Sequence, residues 1–212
     1  MPIRIDQKIV SAEVVRPGAT PPLQMDEHLK RPEVLSGETY KIKTPLSEHA
    51  LYVTINDIVL NPGTEHEVRR PFEIFINSKN MDHFQWIVAL TRIISAVFRK
   101  GGDCTFLGEE LRSVFDPKGG YFKPGGRFMP SLVAEIGDAI ETHLRRIGML
   151  ELEQLDPHQR AYIEGKKQEL SAAEKGDDAP PDAELCEKCH TKAMMQMDGC
   201  LTCLNCGESK CG

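Results

Sequence analysis

Two stretches of strict alternation and three of helical periodicity occupy the middle of the chain. Leu51, Val53 and Ile55 alternate with Tyr52, Thr54 and Asn56, and Phe72, Ile74 and Ile76 alternate with Glu73, Phe75 and Asn77. A period of two marks a strand with one better-buried face, and the two strands are expected to pair. Between them, residues 61 to 71 carry Asn61-Pro62-Gly63 and several charges and read as a long solvated hairpin loop. Residues 82 to 99 give the strongest helical signal. Phe84, Trp86, Ile87, Val88, Leu90, Ile93, Ile94, Val97 and Phe98 cover most of the circumference, leaving a narrow polar stripe through Asp82, Gln85, Arg92, Ser95 and Arg99. An apolar arc this wide is expected to be covered on more than one side. Leu107, Leu111, Val114 and Phe115 mark a shorter helix; Val133, Ile136, Ile140, Leu144 and Ile147 mark a third, starting at Pro130 and stopping at Gly148. The expected class is α+β, a small antiparallel sheet packed by about three helices and followed by a linker and a C-terminal zinc ribbon.

The flanks are poorer in pattern. Residues 1 to 39 read as an extended arm: a strand is expected around Ile9 to Val15, and the rest carries Pro17, Pro21, Pro22 and Pro32 with scattered apolar anchors at Leu23, Met25, Leu29 and Leu35. The core domain is expected over residues 40 to 150. Residues 151 to 185 read as a helical extension and an acidic flexible linker, since 165 to 185 hold six acidic and three basic side chains, two prolines and no Val, Ile or aromatic residue. As a flexible coil those 21 residues would span roughly 25 Å, so the segment beyond them, 186 to 212, is expected to sweep past the surface of its own domain.

Composition narrows the function classes. A chain of 212 residues with 40% hydrophobic content holds one modest core plus appendages. It shows no apolar run long enough for a membrane span and no signal-peptide core, so a cytoplasmic location with reduced thiols is expected. In that compartment clustered cysteines read as metal ligands or redox groups. The net charge of -6 argues against a broad nucleic-acid surface.

Six of the seven cysteines lie in the last 27 residues, as Cys186-x-x-Cys189, Cys200-x-x-Cys203-x-x-Cys206 and Cys211. A tetrahedral zinc site takes four thiolates from two C-x-x-C turns, which leaves two cysteines over. In one assignment Cys186, Cys189, Cys203 and Cys206 hold the metal, with Gly207 easing the second turn, and Cys200 and Cys211 form a free dithiol. In the other, Cys200 replaces Cys206 as ligand, and Cys206 pairs with Cys211. His190 is an alternative ligand, and Cys186 to His190 also spells a haem-attachment string, which leaves the other four cysteines unexplained. Cys104, alone before the second helix, reads as a structural thiol. Residues 118 to 127, KGGYFKPGGR, lack the Lys-Ser/Thr of a phosphate loop and read as an exposed two-turn loop that could serve as a docking surface. No catalytic triad or carboxylate pair stands out.

The stretch from Tyr40 (YKIKTPLSEHALYVTINDIVLNPG) to Asp103, the segment GGYFKPGGRFMPSLVAEIGDAIETHL and the terminal GCLTCLNCGESKCG together resemble the TSCPD domain and cysteine-rich tail of adenosylcobalamin-dependent (class II) ribonucleotide reductases. The resemblance covers about residues 40 to 150 and 186 to 212. Where many members carry Ser-Cys-Pro-Asp, this chain has Phe128-Met129-Pro130-Ser131, so no role for that cysteine carries over. It also lacks the family's catalytic barrel and cobalamin pocket. The resemblance therefore implies an accessory subunit of ribonucleoside-diphosphate reductase, an oxidoreductase subunit inactive alone. Its catalytic partner would bind adenosylcobalamin, its tail would carry zinc, and its Cys200–Cys211 dithiol would re-reduce the partner's active-site disulfide and be recharged by thioredoxin or glutaredoxin. The competing reading is a zinc-ribbon adaptor without redox role, for which the ribbon's zero net charge offers no nucleic-acid surface.

Overall fold

The computed structural model describes residues 22–45, 47–79, 84–151, 156–173, 182–197 and 199–211, with the side chains of 169–173 left aside. The strand expected at Ile9 to Val15 lies outside these residues. The fold is α+β. Strands β1 (Ser36–Ile42), β2 (Leu51–Leu60) and β3 (Val68–Ser78) form an antiparallel sheet in the order β1-β2-β3, with Tyr40 opposite Val53 and Val53 opposite Ile76. The alternating residues form its inner face: Val53, Ile55 and Ile74 are essentially inaccessible.

Two strands reach further than the pattern suggested. β1 starts at Ser36, inside the expected arm, because its first residues lie on an exposed edge where polar side chains cost nothing. β3 starts at Val68 and shortens the loop before it. Pro71 is accommodated because the register slips between Asn56 and Asp57, and a bulge is one of the few sheet positions that tolerates proline. The described part of the arm folds back on the sheet. Met25, Leu29 and Leu35 cover Ile58, Leu60 and Phe72, and Arg31 forms a two-pronged bond to Glu73 at 2.8 and 2.9 Å. Arg31, together with the amide of Asn56, holds the Glu73 carboxyl below its ordinary range.

Helices α1 (Phe84–Lys100), α2 (Phe106–Arg112) and α3 (Leu132–Arg146) cover the inner face. β3 is an edge strand, and α1 satisfies it: the Ser95 hydroxyl accepts the Ile74 N–H at 3.0 Å and donates to the Thr91 carbonyl at 2.7 Å. Ser95, part of the polar stripe by pattern, is therefore buried. The opposite expectation also fails in part, since Trp86 and Ile93 remain 70% and 63% exposed. Ser131 caps α3 by accepting the Ala134 N–H at 3.0 Å.

A buried polar cluster clamps α3 to the sheet. His143, fully buried on α3, meets Asp57 of β2 through Nε2 at 2.7 Å and the Tyr40 hydroxyl of β1 through Nδ1 at 2.8 Å. Arg69 of β3 binds the same aspartate at 2.8 Å. Tyr40 donates to Glu38 at 2.9 Å, and burial with that carboxylate beside it raises the phenol above its ordinary range.

Helix α4 (Pro157–Ala173) continues into the expected linker. Its Lys, Gln, Glu, Leu and Ala residues favour helix, and no proline interrupts them before Pro180. Among the described residues no helix is long and apolar enough to cross a membrane.

Replacing Asp57 with Asn leaves His143 and Arg69 without their shared anion. The expected loss is about 1 to 3 kcal/mol, since the fully buried His143 loses its charged hydrogen-bond partner. It should be read as a lower urea midpoint at unchanged slope, and a change below about 0.5 kcal/mol would show that the cluster is not a clamp.

Candidate metal centre and cysteine pair

The C-terminal segment is a four-stranded antiparallel ribbon of β6 (Glu184–Leu185), β7 (Lys192–Met197), β8 (Cys200–Cys203) and β9 (Ser209–Cys211), in that order. Strands of two to six residues cannot bury a self-sufficient core. Two matching turns draw the ribbon together instead. In the first, the N–H of His190 donates to the Cys186 carbonyl at 2.9 Å; in the second, the N–H of Gly207 donates to the Cys203 carbonyl at 2.9 Å. Both end in the left-handed region, His190 at φ 54° and Gly207 at φ 76°. Glycine is at ease there and histidine is not, so the first turn holds its residue against a backbone preference.

These turns bring Cys186, Cys189, Cys203 and Cys206 together, their sulfurs all within 4.8 Å of one another. The Sγ atoms of Cys186 and Cys206 are 3.7 Å apart, and those of Cys189 and Cys203 are 3.6 Å apart. A zinc ion bonded to four thiolates at 2.3 Å places its sulfurs about 3.8 Å apart along each tetrahedral edge, so the donor set fits the ion in number, chemistry and spacing. The surroundings act unequally on the sulfurs. The Cys203 thiol, then Asn205 and Thr191, pull the Cys189 thiol down to about 3 against the opposing effect of burial. Cys203, which shares its proton with Cys189, is shifted up, and burial pushes Cys206 up to about 11. A fixed cation would hold all four as thiolates. The N–H of Asn205 points at the Cys203 sulfur at 3.4 Å, as outer partners of metal thiolates do.

Cys200 and Cys211 lie outside this cluster. They face each other across β8 and β9 and form a disulfide with a Cα separation of 4.3 Å. Cys211 is exposed and Cys200 half-buried. The alternative pairing of Cys206 with Cys211 is not the one found, because Cys206 sits in the cluster. His190 is not among the grouped donors. Cys104 is buried in the main core, where desolvation raises its thiol.

Sequence reasoning offered residues 118 to 127 as a docking surface but did not identify the ribbon as what docks there. The segment read as an exposed loop is a hairpin of β4 (Tyr121–Phe122) and β5 (Phe128–Met129), and the ribbon is bonded to its edge. Phe128 N–H donates to the His190 carbonyl at 2.7 Å, Lys192 N–H donates to the Gly126 carbonyl at 2.8 Å, and Arg127 bridges Thr191 between them. The available signal was the Gly125-Gly126 pair, which permits close backbone approach and left-handed φ values of 83° and 73°. On another side Ile163 of α4 is buried against Cys186, Met194 and Leu204. The ribbon is therefore held on its domain, where a freely sweeping knob was expected.

The arrangement defines a class: an α+β domain with a four-cysteine ribbon, suited to a metal such as zinc, bonded to its edge. The chain belongs to the TSCPD domain family, which matches residues 21–144. Comparison with curated proteins and with solved structures found no match.

Protein purified without added metal is expected to contain about one zinc per chain. Cys203→Ser should abolish it, and chelation should erase amide protection over 183–211 while the sheet stays folded. A ribbon that keeps its protection without metal would overturn the assignment.

Proposed function

We propose that this chain is an accessory subunit of an adenosylcobalamin-dependent ribonucleotide reductase, an oxidoreductase assembly in which it supplies reducing equivalents to a separate catalytic subunit. Two findings support the reading: membership of the TSCPD family, and one cysteine pair, exposed at Cys211, placed beside, but not within, a metal-suited cluster. The pair carries the proposal. It is what a thiol shuttle needs and what a purely structural ribbon does not.

Each turnover of the partner would leave its active-site dithiol as a disulfide. One tail thiolate, by exposure that of Cys211, attacks this disulfide, breaking its S–S bond and forming a mixed disulfide. Cys200 then attacks the mixed disulfide, releasing the partner's second sulfur and closing the Cys200–Cys211 bond. Two electrons and two protons pass to the partner's sulfurs. A dithiol of thioredoxin or glutaredoxin reverses the change in the tail by the same exchange. Adenosylcobalamin, bound by the partner, supplies the radical chemistry. Attachment raises the local thiol concentration, to the order of mM for a short tether, so exchange need not wait for free thiol.

Mixed with the catalytic subunit, Cys211→Ser should retain metal and partner binding. It should give about one turnover with thioredoxin and many with dithiothreitol, which diffuses in unaided. Full thioredoxin-driven cycling by this variant would overturn the shuttle, and ribonucleotide reduction by this chain alone with adenosylcobalamin and dithiothreitol would overturn the accessory role.

A further inference from the structure

The hairpin that seats the ribbon is itself built into the domain. Tyr121 donates to Glu135 at 2.7 Å, Lys123 donates to the other oxygen of that buried carboxylate at 2.8 Å, and Arg127 pairs with Asp138 at 2.6 Å. Both carboxylates belong to α3, the helix clamped to the sheet through His143. The seat therefore has the rigidity of the core. The ribbon meets it at one end only. Lys192, bonded to Gly126, begins β7, and Met197, opposite Cys200, ends it. The five residue-to-residue steps of this six-residue strand put the Cys200–Cys211 pair about 17 Å from the seat. The metal-suited turns thus face the domain, and the disulfide lies at the outboard tip.

We propose that the β4–β5 hairpin is the ribbon's receptor and that domain and ribbon present the dithiol to the partner as one rigid body, tip first, with the seat closed in both redox states. The inference rests on the shuttle reading above and specifies how the thiols are delivered. Exchange at Cys200 and Cys211 makes and breaks bonds only at the tip. It touches neither Phe128 N–H···O His190 nor Lys192 N–H···O Gly126, so nothing in the chemistry requires the seat to open. The contact is strand addition to a sheet edge, the geometry by which many domains hold extended peptides. Phe128, Gly126, His190 and Lys192 are then positioning residues for the dithiol.

Hydrogen exchange on the full chain, oxidised and dithiothreitol-reduced, tests the seat without the partner. The amides of Phe128 and Lys192 are expected to exchange slowly in both states. Phe128→Pro removes the donor to His190 at a position whose N–H points away from β4, where proline is tolerated, and should release the Lys192 amide as well. With the catalytic subunit, the ratio of thioredoxin-driven to dithiothreitol-driven turnover should fall about tenfold in this variant, as orientation of the tip is lost. Phe128 and Lys192 amides exchanging at free-peptide rates in either redox state would overturn the proposal, as would a wild-type turnover ratio in Phe128→Pro. If the wild-type chain supports no thioredoxin-driven turnover, the shuttle reading fails, and the exchange data still decide whether the seat exists.

Discussion

Four sulfurs lie within 4.8 Å of one another, an arrangement that four thiolates can keep only around a cation, and the C-terminal ribbon is built around it. Its strands are too short to hold their register by apolar burial. With the two turns brought together at the cysteine cluster, however, the pairing of β7, β8 and β9 follows. So does the opposition of Cys200 to Cys211, which cannot be reached by local backbone preference over 11 residues. The metal-suited end and the redox-capable end are thus two consequences of one hairpin: β8 and β9 carry the second turn at their closed end and the cysteine pair at their open end.

The domain transmits stiffness to this ribbon by a different means. Its centre combines an aliphatic core with two buried carboxylates, each held by a partner from another element: Asp57 by His143, and Glu135 by Lys123. Such pairs add little net stability compared with apolar replacements, but they fix relative orientation, because a displaced partner leaves an uncompensated charge. Here each joins α3 to another element, the sheet in one case and the hairpin in the other. α3 is therefore the spine through which the sheet sets the direction of the ribbon.

The elements legible in the sequence were those in which one physical effect dominates. β2, β3 and α3 followed from periodicity alone, since each has one face in the core. The cysteine spacing pointed to a metal ribbon because two C-x-x-C turns at this separation match a four-thiolate site, although spacing left the choice between Cys200 and Cys206 open. Backbone-mediated features were hidden. The seat involves N–H and C=O groups of Gly126, Phe128, His190 and Lys192, whose side chains carry no trace of it. The helical extension was expected, but its reach to Ala173 was not, because among its described side chains only Ile163 is buried and the rest carry no apolar pattern. Ser95 was misplaced for the converse reason: its hydroxyl serves an edge strand, so a polar residue lies inside.

The exposed stripe of α1 has an optical consequence. Trp86 is the only tryptophan in the chain and stands 70% exposed on the helix, so the long-wavelength fluorescence of the protein comes from a single, water-facing indole. Its colour and quenching register whatever covers that face and are indifferent to the composition of the core. The molecule thus contains a built-in reporter for one surface.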